Sequence, residues 1–205
     1  MDAQDGRTLR SSRLKQNTHE RILHAVRKML GDGHHNITVK TIAEQACCSI
    51  GTVYNHFPSG VHAMMVELGR RAAARSLSRV QQLLDSSGPG PALKLFPVYV
   101  CEDIIALDGI PQWSLPDITD HTVPEWITQP STPQMLDLLL LNGYGRTENT
   151  INIARTAVYL TRGAILSYCV EMASAPTDGD RLHCASDLLA SAHKVVPTAM
   201  SLFHE

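Results

Sequence analysis

The chain has 205 residues, 43% of them apolar and only 5% aromatic, enough for a small domain and a larger one with a real core. No run approaches the ~18 apolar residues of a membrane span, no secretory signal is visible, and five irregularly spaced cysteines argue against a disulfide framework, so a soluble cytoplasmic protein is expected. The net charge of −2 conceals an asymmetry, with 12 Lys+Arg against 6 Asp+Glu in residues 1–80 and 6 against 14 in residues 81–205, so only one end is suited to meet a polyanion.

Residues 1–17 read as a basic flexible arm carrying Arg7, Arg10, Arg13 and Lys15. Such an arm can track a nucleic-acid backbone or enter a minor groove, and a simple solvated tail explains the same residues equally well. A first helix follows with Ile22, Leu23 and Ala25, and His34-His35 reads as a solvated loop. The stretch 38–57, TVKTIAEQACCSIGTVYNHF, then reads as two short helices around a tight turn. Thr38 is a natural N-cap, and Ile42, Ala43 and Ala46 give the first of these helices one small apolar face. Ser49 caps the second, over residues 50–57. Small residues at Ala43, Ala46 and Gly51 let the two cross closely, as a helix-turn-helix requires.

At about 100° per residue, Ile50, Val53 and Phe57 fall on one side of the second helix and are expected to pack inward. Gly51, Thr52 and Asn55 fall on the opposite side, with Tyr54 and His56 on the flanks. A helix lying in a DNA major groove needs this layout, with small or polar groups toward base edges and hydrogen-bonding flanks toward phosphates. An ordinary amphipathic hairpin in an all-helical core is the alternative, but cap, turn, face and flanks agree on the first reading.

Residues 21–68 resemble the DNA-binding domain of the tetracycline-repressor-like (TetR) family of bacterial transcription regulators. The residues that carry the resemblance are Ile22, Leu23 and Ala25, then Thr38, Val39, Ile42, Ala43 and Ala46, then Ser49, Gly51, Thr52, Val53, Tyr54, His56, Phe57, Pro58 and Ser59. The resemblance implies an all-α protein: a three-helix helix-turn-helix DNA-binding domain over residues 18–60 and a helical effector-binding and dimerisation domain over residues 61–205. It also implies a DNA-binding surface of Thr38, Lys40, Ser49, Ile50, Gly51, Thr52, Tyr54, Asn55 and His56, with Lys40, Tyr54 and His56 as phosphate contacts. Three positions depart from the family pattern. Cys47-Cys48 replaces Gly-Val in the turn, Ile50 stands where a basic residue is common, and Gly60 where a Lys usually opens the next helix. A Cys at a turn position that favours φ > 0 costs on the order of 1 kcal/mol.

Beyond the turn, residues 59–84 read as one helix in which Leu68, Leu77, Val80 and Leu84 recur, ended by DSSGPGP at 85–91. Its arginines, Arg70, Arg71, Arg75 and Arg79, read as a solvated face. A helix over 92–107 is expected to break or restart at Pro97. Five prolines and both tryptophans make 109–134 a loop with a helical turn or two, such as 124–129. Thr132-Pro133 starts a short apolar helix that Gly143 ends.

The last two helices carry heptad-like stripes: Ile151, Ala154, Val158, Thr161, Ile165, Tyr168 and Met172, then Leu182, Ala185, Leu189, Ala192, Val196, Ala199 and Phe203. Ile153, Ala157, Leu160 and Ala164, with Leu188 and Val195, make neighbouring faces apolar too, which asks for more than one partner helix. A four-helix bundle built by two subunits satisfies that need, and the family dimerises in this way. Pro197 is expected to kink or restart the final helix.

Joined together, these elements describe a homodimeric repressor of palindromic operators, released by a small-molecule effector. Phe96, Tyr99, Trp113, Trp126 and Tyr144 are candidate walls of the effector pocket, and ordinary core or lid contacts explain each of them equally well. A redox- or metal-responsive regulator using Cys47-Cys48, Cys101 beside Glu102 and Asp103, or His183-Cys184 is the rival reading, although no spacing matches a zinc pattern. A DNA-binding architectural protein without ligand control is a third. The sequence offers no Gly-rich phosphate loop and no triad or carboxylate pair at a meaningful spacing, so neither an enzyme nor a cofactor is expected.

Overall fold

The computed structural model describes residues 3–32, 34, 37–107, 132–175 and 177–203. Eight helices are found among them: α1 (Ala3–Gly31), α2 (Val39–Gln45), α3 (Ile50–His56), α4 (Val61–Ser87), α5 (Pro89–Ile105), α6 (Thr132–Leu141), α7 (Glu148–Ser174) and α8 (Asp178–Ser201). The described residues contain no strand, as the all-α expectation requires. The chain divides into two compact units, Met1–Leu68 and Gly69–Glu205, so the division falls inside α4 rather than at residue 60. Met64, Met65 and Leu68, on the first turns of α4, are all buried members of the N-terminal unit.

In the N-terminal unit the expected flexible arm is helical. Residues 3–17 continue into α1 without interruption, because the stretch is rich in Arg, Leu, Lys and Gln and holds no proline. Ile22, Leu23, Ala25 and Val26 of α1 are buried with Ile42 and Ala43 of α2 and Val53 and Phe57 around α3. Burying each of the larger of these side chains is worth about 1.5–3 kcal/mol.

In the C-terminal unit one apolar cluster joins Ala92, Leu93 and Phe96 of α5, Met135, Leu138 and Leu139 of α6, Ile153, Ala154, Ala157 and Val158 of α7, and Val195, Val196 and Ala199 of α8. Helix α5 starts at Pro89, directly after Gly88, whose φ of 84° breaks the chain out of α4. The break expected at Pro97 does not occur, nor does one at Pro197: α5 runs on to Ile105 and α8 to Ser201. Packing overrides the missing hydrogen bond in both cases, with Pro97 itself fully buried and Val195, Val196 and Ala199 holding α8 to the cluster. Helices α7 and α8 each begin on a threonine: the Thr147 hydroxyl accepts from the Thr150 N–H at 3.2 Å, and Thr177 forms a reciprocal box with Asp180.

Two of the arginines read as a solvated face, Arg75 at 43% and Arg79 at 39% side-chain exposure, also reach a buried carboxylate. The Ser76 hydroxyl donates to Asp103 Oδ2 at 2.7 Å, and Arg75 Nε donates to Asp103 Oδ1 at 3.2 Å. Arg79 pairs with Glu102, approaches Asp103 Oδ2 at 3.9 Å, and lies 3.9 Å over the Tyr99 ring. Asp103 is 6% exposed, so its charge is tolerable only because these donors surround it. Asp103→Ala should therefore cost about 1–2 kcal/mol in chemical denaturation, because it removes the buried acceptor that Ser76, Arg75 and Arg79 share. A destabilisation no larger than that of an exposed Asp→Ala control would show that the network is not structural.

Candidate nucleic-acid interface

The helix-turn-helix is built on two hydroxyl caps and one arginine. Thr38 Oγ1 accepts the Thr41 N–H at 3.2 Å while Thr41 Oγ1 accepts the Thr38 N–H at 3.0 Å, a box that fixes the start of α2. Ser49 Oγ accepts the Thr52 N–H at 3.0 Å and starts α3. Between them Cys47 takes φ 51°, the left-handed value that a glycine would adopt freely. Arg21 of α1 closes the turn by donating from Nη2 to the Ala46 carbonyl at 3.0 Å and to the Cys47 carbonyl at 3.2 Å. Those carbonyls lie past the end of α2, where intrahelical donors run out.

Around this frame the expected residues divide by role. Val53 and Phe57 face inward at 0% and 3% exposure, as the helical projection requires. Ile50 does not join them. It is 46% exposed, since it occupies the first position of α3, directly after the cap and before the helix turns over the core. Gly51, Tyr54 and Asn55 are also exposed, so α3 presents Ile50, Gly51, Tyr54 and Asn55 outward, with Lys40 exposed on α2. A Cβ at Gly51 would meet only Ser49 Oγ, at 3.8 Å, so the glycine leaves that surface low rather than relieving a clash. The hydroxyls of Thr38 and Ser49 are committed to capping, and Thr52 is half-buried against Ser49, with their hydroxyl oxygens 2.8 Å apart.

His56 is also half-buried. Its ring lies 5.8 Å from that of His19, which is stacked on Phe57 at 4.5 Å. Desolvation, and then the charges of His19 and Lys15, hold the His56 imidazole below its ordinary 6.5. Helix α1 thus contributes Lys15, His19 and Arg21 to this region, which the helix-turn-helix pattern alone does not show; the Lys15–His19 spacing of four on one helix is the sequence signal for it. Gly60 also has a structural reason to replace Lys. It takes φ 64°, and a Cβ there would lie 3.3 Å from Val39 Cγ2 and 3.9 Å from the Tyr54 ring.

The candidate effector residues lie in the C-terminal unit. Phe96 is buried in the apolar cluster, and Tyr99 and Tyr144 pack against it, Tyr99 beneath Arg79 and Tyr144 with its hydroxyl 3.6 Å from Met200 Sδ. Trp113 and Trp126 lie outside the described residues, as does the expected helical turn at 124–129. The rival sensor residues are scattered. Cys101 and Cys169 are buried, and burial pushes each thiol up to about 12, Cys101 with help from Glu102. Among the described residues no group of three or more His, Cys, Asp and Glu is placed to hold a metal ion.

The arrangement is similar to that of a solved TetR-family transcriptional regulator from Streptomyces coelicolor, which superimposes with a TM-score of 0.53 at 17% identity over 91% of this chain and 99% of that one. The fold is that of a TetR-family regulator. No protein-family model and no curated protein matches the chain. Within the TetR fold, the exposed face of α3 occupies the second helix of the helix-turn-helix, and α5–α8 form the helical body. Among the described residues no helix is long and apolar enough to cross a membrane.

Thiol chemistry offers a direct check on this geometry. In the native protein Cys47, exposed in the turn, should react first with a chromogenic disulfide reagent, whereas Cys101 and Cys169 should react only on unfolding. Equal native reactivity of Cys101 and Cys47 would contradict the burial described here.

Proposed function

We propose that the protein is a DNA-binding transcription regulator that acts as a homodimer, a repressor of palindromic operators released by a small apolar effector. The observation that carries the reading is the outward row of Ile50, Gly51, Tyr54 and Asn55 on a capped, clamped helix-turn-helix within a TetR-type fold. Small and apolar groups at the centre of that row suit contact with thymine methyls and close approach to base edges, while Tyr54, His56 and Lys40 suit phosphates. The contrast between a basic N-terminal part and an acidic remainder supports one DNA-facing end.

Support for dimerisation comes from a face of α7 other than the stripe read in the sequence, together with the exposed start of the α8 stripe. Most of the α7 stripe, Ala192, Val196 and Ala199 of the α8 stripe, and the neighbouring Ile153, Ala157, Leu188 and Val195 are buried within the subunit. Wholly or partly exposed on α7 is the series Asn152, Thr156, Tyr159, Gly163, Leu166 and Val170, spaced alternately four and three apart, with Leu160 exposed beside it. Tyr159 is 60% and Val170 51% exposed, and Leu182 of α8 is 73% exposed. A second copy packing these faces into a four-helix bundle would cover them. A symmetric pair of heads would then read half-sites ~34–36 Å apart or a multiple of this. An effector bound beside Phe96, Tyr99, Tyr144 and the two tryptophans would lower operator affinity if it favoured a conformation with the wrong spacing.

Selection of a site from a random duplex pool, followed by fluorescence anisotropy, tests the reading. A palindrome should emerge, occupied by two subunits, and Tyr54→Ala should weaken it by about five- to tenfold. Failure to select any site would refute it. Val170→Arg should yield a helical monomer in sedimentation and lose palindrome selectivity; a variant that remains dimeric would place the interface elsewhere. The effector proposal falls if a broad panel of apolar ligands moves neither melting temperature nor operator affinity.

A further inference from the structure

Lys15 and His19 lie four residues apart on α1 and therefore on one face of it, and that face meets the end of α3 at His56. The stack of His19 on Phe57, with ring planes 25° apart, fixes the His19 ring rather than leaving it to swing in solvent. His19 and His56 are both half-buried, with ring centroids 5.8 Å apart and planes tilted by 57°, which brings two imidazoles to one place on the surface where a single acceptor can be approached from both. We propose that Lys15, His19 and His56 form a single seat for one DNA backbone phosphate, and that occupation of the seat couples DNA binding to proton uptake. This rests on the reading of the protein as DNA-binding and extends its contact surface onto α1.

The electrostatics of the free protein fit such a seat. Two imidazoliums and an ammonium brought together repel one another, and the shift of His56 below its ordinary value expresses that repulsion on top of desolvation. The charged groups bearing on His56 are those of His19 and Lys15; Glu20 and Arg21 of α1, Lys40 and Glu44 of α2, Tyr54 of α3 and His62 of α4 are not among the causes of its shift. Arg21 is already committed to the Ala46 and Cys47 carbonyls. A phosphate placed among the three cations reverses the sign of the local interaction and raises the imidazole pKa, so the bound complex holds more protons than the separated partners. The sign follows: affinity increases as pH falls through the histidine range, by up to about tenfold per pH unit for each proton taken up.

The seat does not depend on base sequence, so the probe is a fluorescein-labelled mixed-sequence duplex of ~20 base pairs, titrated with the full chain by anisotropy at low salt. Wild type should bind roughly five- to tenfold more tightly at about pH 6 than at about pH 8. His19→Gln and His56→Gln should each flatten that dependence, and Lys15→Gln should reduce the slope of log affinity against log salt by about one. On adding duplex, the imidazole Cε1–H resonance of His56 should titrate at higher pH, a readout that needs no variant. Wild-type binding without pH dependence, or a dependence that survives in folded His19→Gln, would overturn the seat while leaving the DNA-binding reading intact. Absence of any DNA binding at either pH would overturn both.

Discussion

The close crossing of α2 and α3 is the constraint on which the candidate interface depends. A turn this short leaves no room for a side chain between the helices, so Ala43 and Ala46 are buried at the crossing. The turn must also pass through a left-handed backbone conformation, and here Cys47 accepts it, at a cost on the order of 1 kcal/mol relative to glycine. The strain persists because the turn is fixed from three sides: the Thr38 box before it, the Ser49 cap after it, and the Arg21 guanidinium across its carbonyls. With the turn fixed, the direction of α3 is fixed, and so is the set of side chains it offers outward.

The C-terminal unit solves a different problem, that of an acidic body with a charge inside it. Asp103 sits on α5 among apolar neighbours such as Cys101 and Ile104, where an unpaired carboxylate would cost several kcal/mol. Ser76, Arg75 and Arg79 of α4 supply the compensating donors, and Arg79 also covers the Tyr99 ring. These contacts work only with α4 held at one rotation and one height against α5. A purely apolar α4–α5 contact would tolerate sliding by a fraction of a turn; a buried carboxylate with directed donors does not. Tyr99, a candidate effector wall, is thus part of the same device that registers α4.

What is legible in the sequence is local chemistry. The caps at Thr38 and Ser49, the turn between them and the inward set Val53 and Phe57 follow from residue type and spacing alone. Helical projection misplaces Ile50 because it ignores where the helix begins; a first residue sits on the rim, not over the core. Both internal prolines mislead for a related reason, since propensity counts the absent hydrogen bond but not the packing that holds the helix on either side. The Arg75, Arg79 and Asp103 network is invisible in the sequence because its partners are 24 to 28 residues apart and no periodicity links them. The outward face of α7 is hidden for the opposite reason: the stronger stripe points inward, and only burial distinguishes a covered apolar face from an open one.

The N-terminal unit also accounts for its own departures from the TetR pattern. Positions where a cation is usual hold Ile50 and Gly60, and Gly60 is confined there by its positive φ and by Val39 at 3.3 Å. A lysine could not occupy that backbone without strain, so under the proposed DNA-binding function a cation usual at the start of α4 would have to come from elsewhere on the same surface. Helix α1 can provide one, being helical through the region expected to be a loose arm and carrying Lys15 and His19 up to the end of α3. Replacing permanent charge by imidazole changes the character of the interaction as well as its position. A lysine attracts phosphate at any physiological pH, whereas His56, whose charged form is disfavoured by desolvation and by its cationic neighbours, gains charge when an anion arrives or the medium acidifies. The same substitution that weakens the static charge of the head would thus make its affinity for DNA conditional.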